Sequence, residues 1–513
     1  MALIEYALSW WTVAVVAAVV AASYGYEYFV THAHLRGIPA PWGAQVSNLW
    51  LLAACRRGGR YRIVDEAHHK LGKVVRIQPN HVSIAHDAAI PAIYGHGNGF
   101  LKSEFYDCFV SIHRGLFNTR VRAEHTRKRK LVSHTFSAKS IAQFEPYIHE
   151  NLRLFVQQLD SLVEQSQVRN SVGQREAQVD CLGWFNYLAF DIIGDLAFGA
   201  PFGMLRAGAD KTEVRLSPES PLIHVSAIQA LNRRGEVSAT LGCLPWLRTY
   251  ARWLPDPFFR RGVDAVRQVA GIAIARVQGR LESPPNHQRK DLLARLMEGR
   301  DEKGEPLGRD ELTAEALTHT IAGSDTTSNT SCALMYYLAR CPWALQRLQA
   351  ELDAAVEKDT RVPSYDAVEH LEYLEWSINE AMRLHCTSGI GLPREIPPGS
   401  PGVTLLGTYY PPGTVLSVPT YTLHHSKEIW GDDADDFKPE RWRRLTARQR
   451  DAFIPYSHGP RACIGRNVAQ KELKLIAATW ARRYSVELRQ GEMETREGFL
   501  RKPTQLQVAL SRR

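Results

Sequence analysis

A short loop around one cysteine carries the clearest chemical signal in the chain. Residues 453–465 read FIPYSHGPRACIG, and a helical pattern follows. The spaced positions of the loop are Tyr456, Gly459, Arg461, Cys463 and Gly465. Glycines let the backbone approach a flat cofactor closely, and the start of the following helix favours a thiolate, which ligates iron. Arg461 can bind a carboxylate of such a cofactor. The alternative is a structural cysteine in a glycine turn, but this five-position pattern arises by chance on the order of once in several thousand chains.

A second polar segment interrupts a long helical pattern. Residues 317–330 read LTHTIAGSDTTSNT. Glycine costs about 1 kcal/mol relative to alanine in a helix, and Ser, Asp and Thr compete for backbone hydrogen bonds. We therefore expect the helix to open locally around a small molecule, with Thr326 donating a hydrogen bond and Asp325 supplying protons. The alternative, an exposed polar face, is disfavoured by apolar neighbours such as Ile321 and Leu334.

Both segments resemble the cytochrome P-450 superfamily. The cysteine loop is similar to its haem-binding loop, and the polar helix to its oxygen-activating helix. The resemblance implies that Cys463 is the axial thiolate ligand of the iron of haem b. It also implies that Asp325 and Thr326 are the acid–alcohol pair, and that Ala322 and Gly323 face the haem.

Further charged residues take roles from the same resemblance. The motif His125-x-x-x-Arg129 stands where the superfamily usually has Trp-x-x-x-Arg. His125, Arg129 and Arg461 are therefore expected to bind the haem propionates, with Arg394 as a further candidate. Tyr456 stands where the superfamily usually has Phe, which keeps an aromatic shield and adds a hydroxyl near the sulfur.

A structural ion network is also expected. Glu380 and Arg383 lie three residues apart on a predicted helix, and FKPERW follows them before the cysteine loop. The resemblance implies that Arg441 of FKPERW joins this pair in a buried triad that sets local geometry without performing chemistry. The basic run at 127–130 has two bland interpretations, a solvated helix face or a nuclear signal. We interpret it as a docking face for an acidic flavoprotein that donates electrons.

Longer segments resemble fungal benzoate para-hydroxylases of the superfamily. They are residues 94–120, 312–333, 426–431 and 493–503. This resemblance implies hydroxylation of benzoate opposite its carboxylate, using O2 and electrons from NADPH through a cytochrome P-450 reductase, in aromatic acid catabolism. A carboxylate left unpaired in an apolar pocket is costly, so donors are required. The candidate donors lie on two loops and are Tyr94, His96, Asn98, Lys102, Ser103, Thr387 and Ser388. The glycine-rich stretch 95–99 is interpreted as a mobile flap over the substrate channel.

The composition is that of a globular protein. Of 513 residues, 44% are hydrophobic and 23% charged, which excludes disorder, collagen and coiled coil. Eight scattered cysteines without a CxxC pair argue against a disulfide framework and a zinc ribbon, and suggest a reducing compartment. The net charge of +9, from 63 basic and 54 acidic residues, is a mild excess, and no nucleic-acid partner is predicted.

The N-terminal segment is long and apolar enough to cross a membrane. No charge occurs between Glu5 and Glu27, and an uncharged helix of this length crosses a hydrocarbon core of ~30 Å. Lys and Arg are missing before the segment and present after it, which predicts a single-pass anchor with the bulk of the protein in the cytosol. The resemblance to the superfamily implies that the membrane is that of the endoplasmic reticulum. A cleaved signal peptide is the alternative. The predicted units are a membrane anchor at 1–30, a proline-containing linker at 31–45 and a haem-thiolate catalytic domain at 46–513.

Periodicity predicts a mainly α fold with a minor β-sheet. The resemblance implies that this is the cytochrome P-450 fold, preceded by one transmembrane helix. Helices are expected at 147–166, 261–281, 311–339, 343–357 and 466–484. Strands are expected at 74–77, 403–406, 415–418 and 506–510. The stretch 282–310 reads as a surface loop around a short helix.

Three other functions remain open. A haem-thiolate isomerase or dehydratase would need no O2, and the Asp325–Thr326 pair disfavours it. A non-catalytic haem-binding protein would leave the basic run at 127–130 unexplained. A same-fold hydroxylase of another small aromatic or lipophilic substrate is compatible with the motifs.

Overall fold

The computed structural model describes residues 2–282, 291–301 and 304–513, and it confirms a mainly helical fold with minor sheets. The first ten α-helices are α1 Ala2–Tyr26, α2 Leu49–Arg56, α3 Arg60–Leu71, α4 Ala89–Tyr94, α5 Arg122–Ser133, α6 Ala138–Ala142, α7 Glu145–Gln165, α8 Cys181–Phe198, α9 Met204–Ala207 and α10 Ala227–Leu241. The next ten are α11 Pro257–Glu282, α12 Leu292–Met297, α13 Arg309–Arg340, α14 Pro342–Ala355, α15 Tyr365–Val368, α16 Glu372–Leu384, α17 Thr420–His424, α18 Lys427–Trp430, α19 Ala447–Ala452 and α20 Arg466–Arg483.

The strands are short and form one five-stranded sheet, one three-stranded sheet and several two-stranded pairs. They are β1 Val74–Gln78, β2 His81–Ile84, β3 Leu101–Lys102, β4 Glu176–Asp180, β5 Thr212–Val214, β6 Ile223–Val225, β7 Arg394–Glu395, β8 Val403–Leu405, β9 Thr408–Tyr410, β10 Val415–Ser417, β11 Tyr484–Leu488, β12 Thr495–Glu497, β13 Arg501–Pro503 and β14 Gln507–Arg512. The largest sheet has the order β1-β2-β10-β7-β3, and a second sheet has the order β11-β14-β4. The large sheet brings β3 and β7, which are far apart in sequence, into direct pairing.

Helix α13 lies at the centre of the molecule and packs against α8, α11, α16 and α20. It is α-helical throughout its 32 residues, so the local opening expected at 317–330 is wrong. The polar side chains are accommodated without a break because several bond the carbonyl one turn back, as Thr320 Oγ1 does to Ala316 O at 2.9 Å. The helix therefore presents a regular face to its surroundings.

The five helices and four strands expected from periodicity are all present, with ends within a few residues. Periodicity does not predict α8, which is apolar on nearly every side because it is buried between α7 and α13. Asp180 caps its start by accepting from the Leu182 N–H at 3.2 Å. A short helix in the stretch 282–310 is confirmed as α12, whereas 283–290, 302 and 303 lie outside the described residues.

The described N-terminal region contains one helix, Trp10–Thr31, that is long and apolar enough to span a bilayer, and none of it is buried. The following segment, predicted as a proline-containing linker, packs onto the globular part. Leu35 and Ile38 are buried in the apolar cluster beside the large sheet. The Arg76 N–H of β1 donates to the Pro39 carbonyl at 2.8 Å. Contacts of this kind fix where the apolar helix leaves the globular part.

Candidate active site

A cavity of about 740 Å³ lies in the middle of the fold. Its walls are α13, α8 and α10, the loop after β3, the β12–β13 hairpin and the cysteine loop. The Cys463 side chain is exposed, and it faces this internal space. The cavity therefore joins the sulfur to the central helix.

The cysteine loop holds the sulfur at the start of α20. The Cys463 N–H donates to the Tyr456 carbonyl at 2.9 Å, which closes the loop. Burial raises the pKa of the Cys463 thiol, whereas the Gly465 N–H, Arg129 and Arg466 act to lower it. A positive centre bound at the sulfur would add to these three and favour the thiolate.

The two glycines of the loop differ in whether the structure has room for a side chain in their place. A Cβ on Gly459, which has φ of +70°, would lie 1.9 Å from the Tyr94 carbonyl oxygen. Gly459 is thus required by a backbone contact with the end of α4, and it does not line the cavity. A Cβ on Gly465 would lie 4.0 Å from the Cys463 sulfur, an ordinary contact.

Tyr456 lines the cavity beside the sulfur. Its hydroxyl is buried and has no hydrogen-bond partner among the described residues. Burial, followed by the charge of Cys463, raises the pKa of Tyr456. The residue therefore acts as a neutral aromatic wall.

Basic side chains meet at the Cys463 end of the cavity. Strands β3 and β7 pair Lys102 directly with Arg394, and Arg461 of the cysteine loop lies near both. All three line the cavity, and none forms an ion pair with a carboxylate in the described part of the chain. Burial, with the charges of Arg394 and Arg461, lowers the pKa of Lys102 well below its usual range. Like charges placed opposite each other on a sheet are destabilising, so this arrangement calls for an anion.

His125 and Arg129 lie behind these residues and do not line the cavity. Burial, with repulsion from Arg461 and Lys102, lowers the pKa of His125 to about 3, so its ring is neutral. The Arg129 guanidinium donates to the Ala462 carbonyl at 2.9 Å, next to Cys463. We call Lys102, Arg129, Arg394 and Arg461 the basic cluster.

The basic run at 127–130 does not form an open cationic face, which corrects that interpretation. Lys128 is buried and pairs with Glu311 and, at 3.1 Å, with Glu315 of α13. Arg127 also binds Glu311. These side chains join α5 to α13, and Lys130 is the exposed cation of the run.

The residues at this end of the cavity fit a haem. A sulfur facing the space could ligate its iron, and the basic cluster supplies positive charge that no carboxylate among the described residues neutralises, as the two carboxylates of haem require. One Nη of Arg394 is buried without a partner among the described residues, although the other donates to the Tyr106 hydroxyl at 2.8 Å. An unsatisfied buried guanidinium nitrogen of this kind is costly unless a ligand accepts from it.

Helix α13 presents Ala322 and Thr326 to the cavity. The Thr326 hydroxyl donates to the Ala322 carbonyl at 2.7 Å. Gly323, expected to face the haem, instead faces α8, where a Cβ would lie 2.7 Å from the end of Ile193. A glycine is needed at this position because α13 and α8 approach each other closely there.

Asp325 is held in an ion pair. Its carboxylate binds the ammonium group of Lys502 on β13, which also donates to the Asn232 side chain at 2.5 Å. Asp325 is buried, and its charge also acts on Arg234 of α10. We call Arg234, Asp325 and Lys502 the distal charge group.

The expected ion network is assembled around Glu380. Arg383 donates to both of its carboxylate oxygens, at 3.0 and 2.8 Å, and Arg441 donates at 3.2 Å. Trp442 Nε1 adds a fourth bond at 2.9 Å. Glu380 and Arg383 are fully buried and do not line the cavity, so this ion network has a structural role.

The proposed substrate donors divide into two groups. Four line the cavity, and these are Tyr94, Lys102, Thr387 and Ser388. Three do not, and these are His96, Asn98 and Ser103.

The stretch 95–99 does not cover the cavity, which corrects the flap interpretation. Gly95 packs beside Gly459 of the cysteine loop, and the Asn98 amide donates to the Ala92 carbonyl at 3.0 Å. Tyr94, which precedes the stretch, lines the cavity, but its hydroxyl donates to Leu392 O at 2.9 Å and accepts from Val418 N–H at 3.0 Å.

Several cavity residues escaped sequence reasoning. Arg234 lies on α10 among Ala230, Leu231, Val237 and Ser238, a buried stripe with helical spacing, and a cation inside such a stripe is the signal that identifies it. Three aromatic side chains, Phe109, Phe117 and Phe499, line the same region. Glu472 of α20 does not line the cavity, but it accepts from the cavity-lining Thr327 Oγ1 at 3.0 Å, and burial raises its pKa to about 8.

Known proteins match nearly the whole chain. The cytochrome P-450 family model matches residues 39–510. The benzoate 4-monooxygenase bphA of Aspergillus niger is 61% identical over 490 residues, which is 94% of each chain. The cytochrome P-450 monooxygenase cicH of Emericella nidulans is 30% identical over 483 residues, 91% of each chain. The chain therefore belongs to the cytochrome P-450 family of haem-dependent monooxygenases.

Proposed function

We propose that this protein hydroxylates benzoate at the carbon opposite the carboxylate. Benzoate, O2, NADPH and a proton give 4-hydroxybenzoate, water and NADP⁺. The observation that carries the proposal is 61% identity over 94% of the chain to the Aspergillus niger benzoate 4-monooxygenase. The cavity supports it, since it combines a cysteine sulfur with an aromatic wall and buried cations.

Haem binding is assigned to the cysteine loop and the basic cluster. Cys463 would ligate the haem iron, and Arg394, Arg461 and Lys102 would bind the haem carboxylates. Arg129 supports them from behind and, with Gly465 N–H, opposes the rise that burial causes in the pKa of Cys463. When bound, the haem supplies the activation of O2 for insertion into a C–H bond.

Proton handling is assigned to α13. Thr326 Oγ1 holds its proton toward the Ala322 carbonyl, and an acceptor in the cavity competes with that carbonyl for the proton. Asp325 is anchored by Lys502. It therefore neutralises part of the positive charge of the distal charge group and relays protons through the lysine ammonium group.

Membrane attachment and electron supply complete the proposal. The apolar helix Trp10–Thr31 anchors the protein in the endoplasmic reticulum membrane, with the globular part in the cytosol. An NADPH–cytochrome P-450 reductase donates the electrons. Because Lys128 is buried, the reductase cannot dock on the whole basic run at 127–130.

The test is product identification. Purified protein, reductase, NADPH and benzoate are incubated, and the product is compared by chromatography with the three hydroxybenzoate isomers. We expect 4-hydroxybenzoate alone. If the ferrous–CO spectrum shows intact thiolate ligation but no hydroxybenzoate forms, the proposed substrate is wrong.

A variant tests the proton assignment. In Thr326→Ala we expect product per NADPH consumed to fall by at least about tenfold, because positioned proton transfer is worth about 10²–10⁴-fold. The matched control is Thr318→Ala, since Thr318 lines the same cavity and bonds Ala314 O at 2.8 Å in the same manner. Equal coupling in both variants would contradict the role of Thr326.

A further inference from the structure

We infer that Arg234 of α10 binds the carboxylate of the aromatic acid and that the ring lies against Phe109, Phe117 and Phe499; this rests on the proposed function. Arg234 is 7% exposed, and that exposure is toward the cavity, which it lines. A buried arginine is rare unless it is paired, because removing its charge from water is costly.

The guanidinium of Arg234 is held in place by hydrogen bonds, but not all of its donors have a partner among the described residues. Its Nη2 donates to the Phe109 carbonyl at 2.9 Å. The Ser111 hydroxyl lies 3.4 Å from both Nε and Nη2. Nη1 makes no hydrogen bond or ion pair to the described residues. The planar group is thus oriented by one loop, with a donor left for a ligand oxygen, and Ser111 also lines the cavity.

The distal charge group carries one more positive charge than negative charge. The distal charge group has two cations and one carboxylate, and that carboxylate already binds Lys502. The other arginine on this wall, Arg496, is paired with Glu236 at 2.6 Å. Burial lowers the pKa of Arg234 to about 10, so it stays protonated at neutral pH. A monoanionic ligand would neutralise the group.

The aromatic side chains beside Arg234 pack against one another and form an apolar wall of the cavity. Ring centroids are 4.9 Å apart for Phe109 and Phe499, 5.2 Å for Phe117 and Phe499, and 5.9 Å for Phe109 and Phe117, all in edge-to-face arrangements. Because Arg234 is bonded to the backbone of Phe109, the cation and the aromatic wall are contiguous. An aromatic ring with a carboxylate at one end matches both parts.

Other cations in the cavity are less suited to this role. Lys502 is engaged by Asp325 and Asn232. Lys102 donates to the Phe117 carbonyl and lies over the rings of Tyr106 and Phe117, at 4.2 and 4.3 Å, within the basic cluster assigned to haem.

The test compares an anion with its neutral isostere. Equilibrium dialysis with the haem-loaded protein measures the Kd of benzoate and of benzamide. In Arg234→Met we expect benzoate to bind at least about 30-fold more weakly, because one partner of a buried charge pair is removed, and benzamide to change only a few-fold. Retained benzamide binding and an intact ferrous–CO spectrum show that the variant is folded.

Two further variants keep the test decisive. Arg234→Gln retains a donor for the Phe109 carbonyl and loses the charge, so it should show the same selective loss even if the methionine variant does not fold. Arg496→Met removes a cation of the same wall that is already paired, and it should leave benzoate binding unchanged.

The two proposals fail in different ways. If wild-type protein neither binds nor hydroxylates benzoate, the proposed function fails and the inference fails with it. If wild-type protein does both, but folded Arg234 variants bind benzoate as well as wild type, the inference alone is overturned. An equal loss of benzoate binding in Arg496→Met would also overturn it, since the effect would then come from the overall electrostatic field of the cavity and not from a direct contact.

Discussion

The two charged regions of the cavity differ in how far the protein neutralises them. The basic cluster, at the Cys463 end, has no carboxylate among its described contacts, whereas the distal charge group places Asp325 beside Lys502 and leaves Arg234 in excess. A buried charge without a partner indicates a ligand of opposite sign. The first region thus suits a cofactor with two carboxylates, and the second suits a substrate with one.

The largest effect is expected at the sulfur itself. Cys463→Ala should abolish 4-hydroxybenzoate formation and the ferrous–CO band typical of thiolate ligation, because the basic cluster can hold a haem but cannot supply its axial ligand. Cys341→Ala is the control, since this half-buried cysteine does not line the cavity. Thiolate ligation that persists in Cys463→Ala would assign the ligand elsewhere.

A variant of the basic cluster tests its lack of counter-ions. Arg394→Gln should release haem about tenfold faster, since a charge-assisted hydrogen bond is lost, yet the haem-free protein should unfold at a higher temperature because repulsion within the cluster is relieved. Haem transfer to apomyoglobin and thermal unfolding measure the two effects.

The control for that variant is an arginine whose charge is already neutralised. Arg120 pairs with Asp107 at 2.9 Å and with Glu395 at 3.2 Å, so Arg120→Gln should lower the unfolding temperature of the haem-free protein. If both variants destabilise the haem-free protein alike, the contrast between neutralised and bare charge is wrong.

The smallest effect is expected from the carboxylate of the distal charge group. Asp325→Asn leaves Lys502 and Arg234 without an internal counter-ion, so benzoate should bind several-fold more tightly, up to about tenfold, although turnover falls. Equilibrium dialysis measures the affinity. Asp353→Asn is the control, because Asp353 is a surface partner of Arg513. Weaker benzoate binding in Asp325→Asn would mean that the carboxylate helps to position the substrate.

Local patterns predicted the fold better than they predicted the site. The long amphipathic helices and the cysteine loop depend on residues close in sequence, which spacing reveals. Helix α8 escaped because burial on all sides removes the amphipathic period. Gly323 was given a cofactor role, although the structure uses it for the approach of α8, a contact that spacing within α13 cannot show.

The charged contacts around the cavity were missed because they are long-range. Asp325 and Lys502 are separated by 177 positions, and Lys102 and Arg394 are paired only by the β3–β7 register. Basic residues at 127–130 looked like a surface face, but Lys128 is neutralised by Glu311 and Glu315 on another helix. Charge runs in a sequence therefore say little until their partners are known.

A crystal structure of the haem-loaded protein with benzoate tests the central claim most directly. The account predicts the haem carboxylates on Arg394, Arg461 and Lys102, and the benzoate carboxylate on Arg234 with the ring against Phe109, Phe117 and Phe499. A benzoate carboxylate bound to Lys102 or Arg394, with Arg234 left without a ligand, would contradict it.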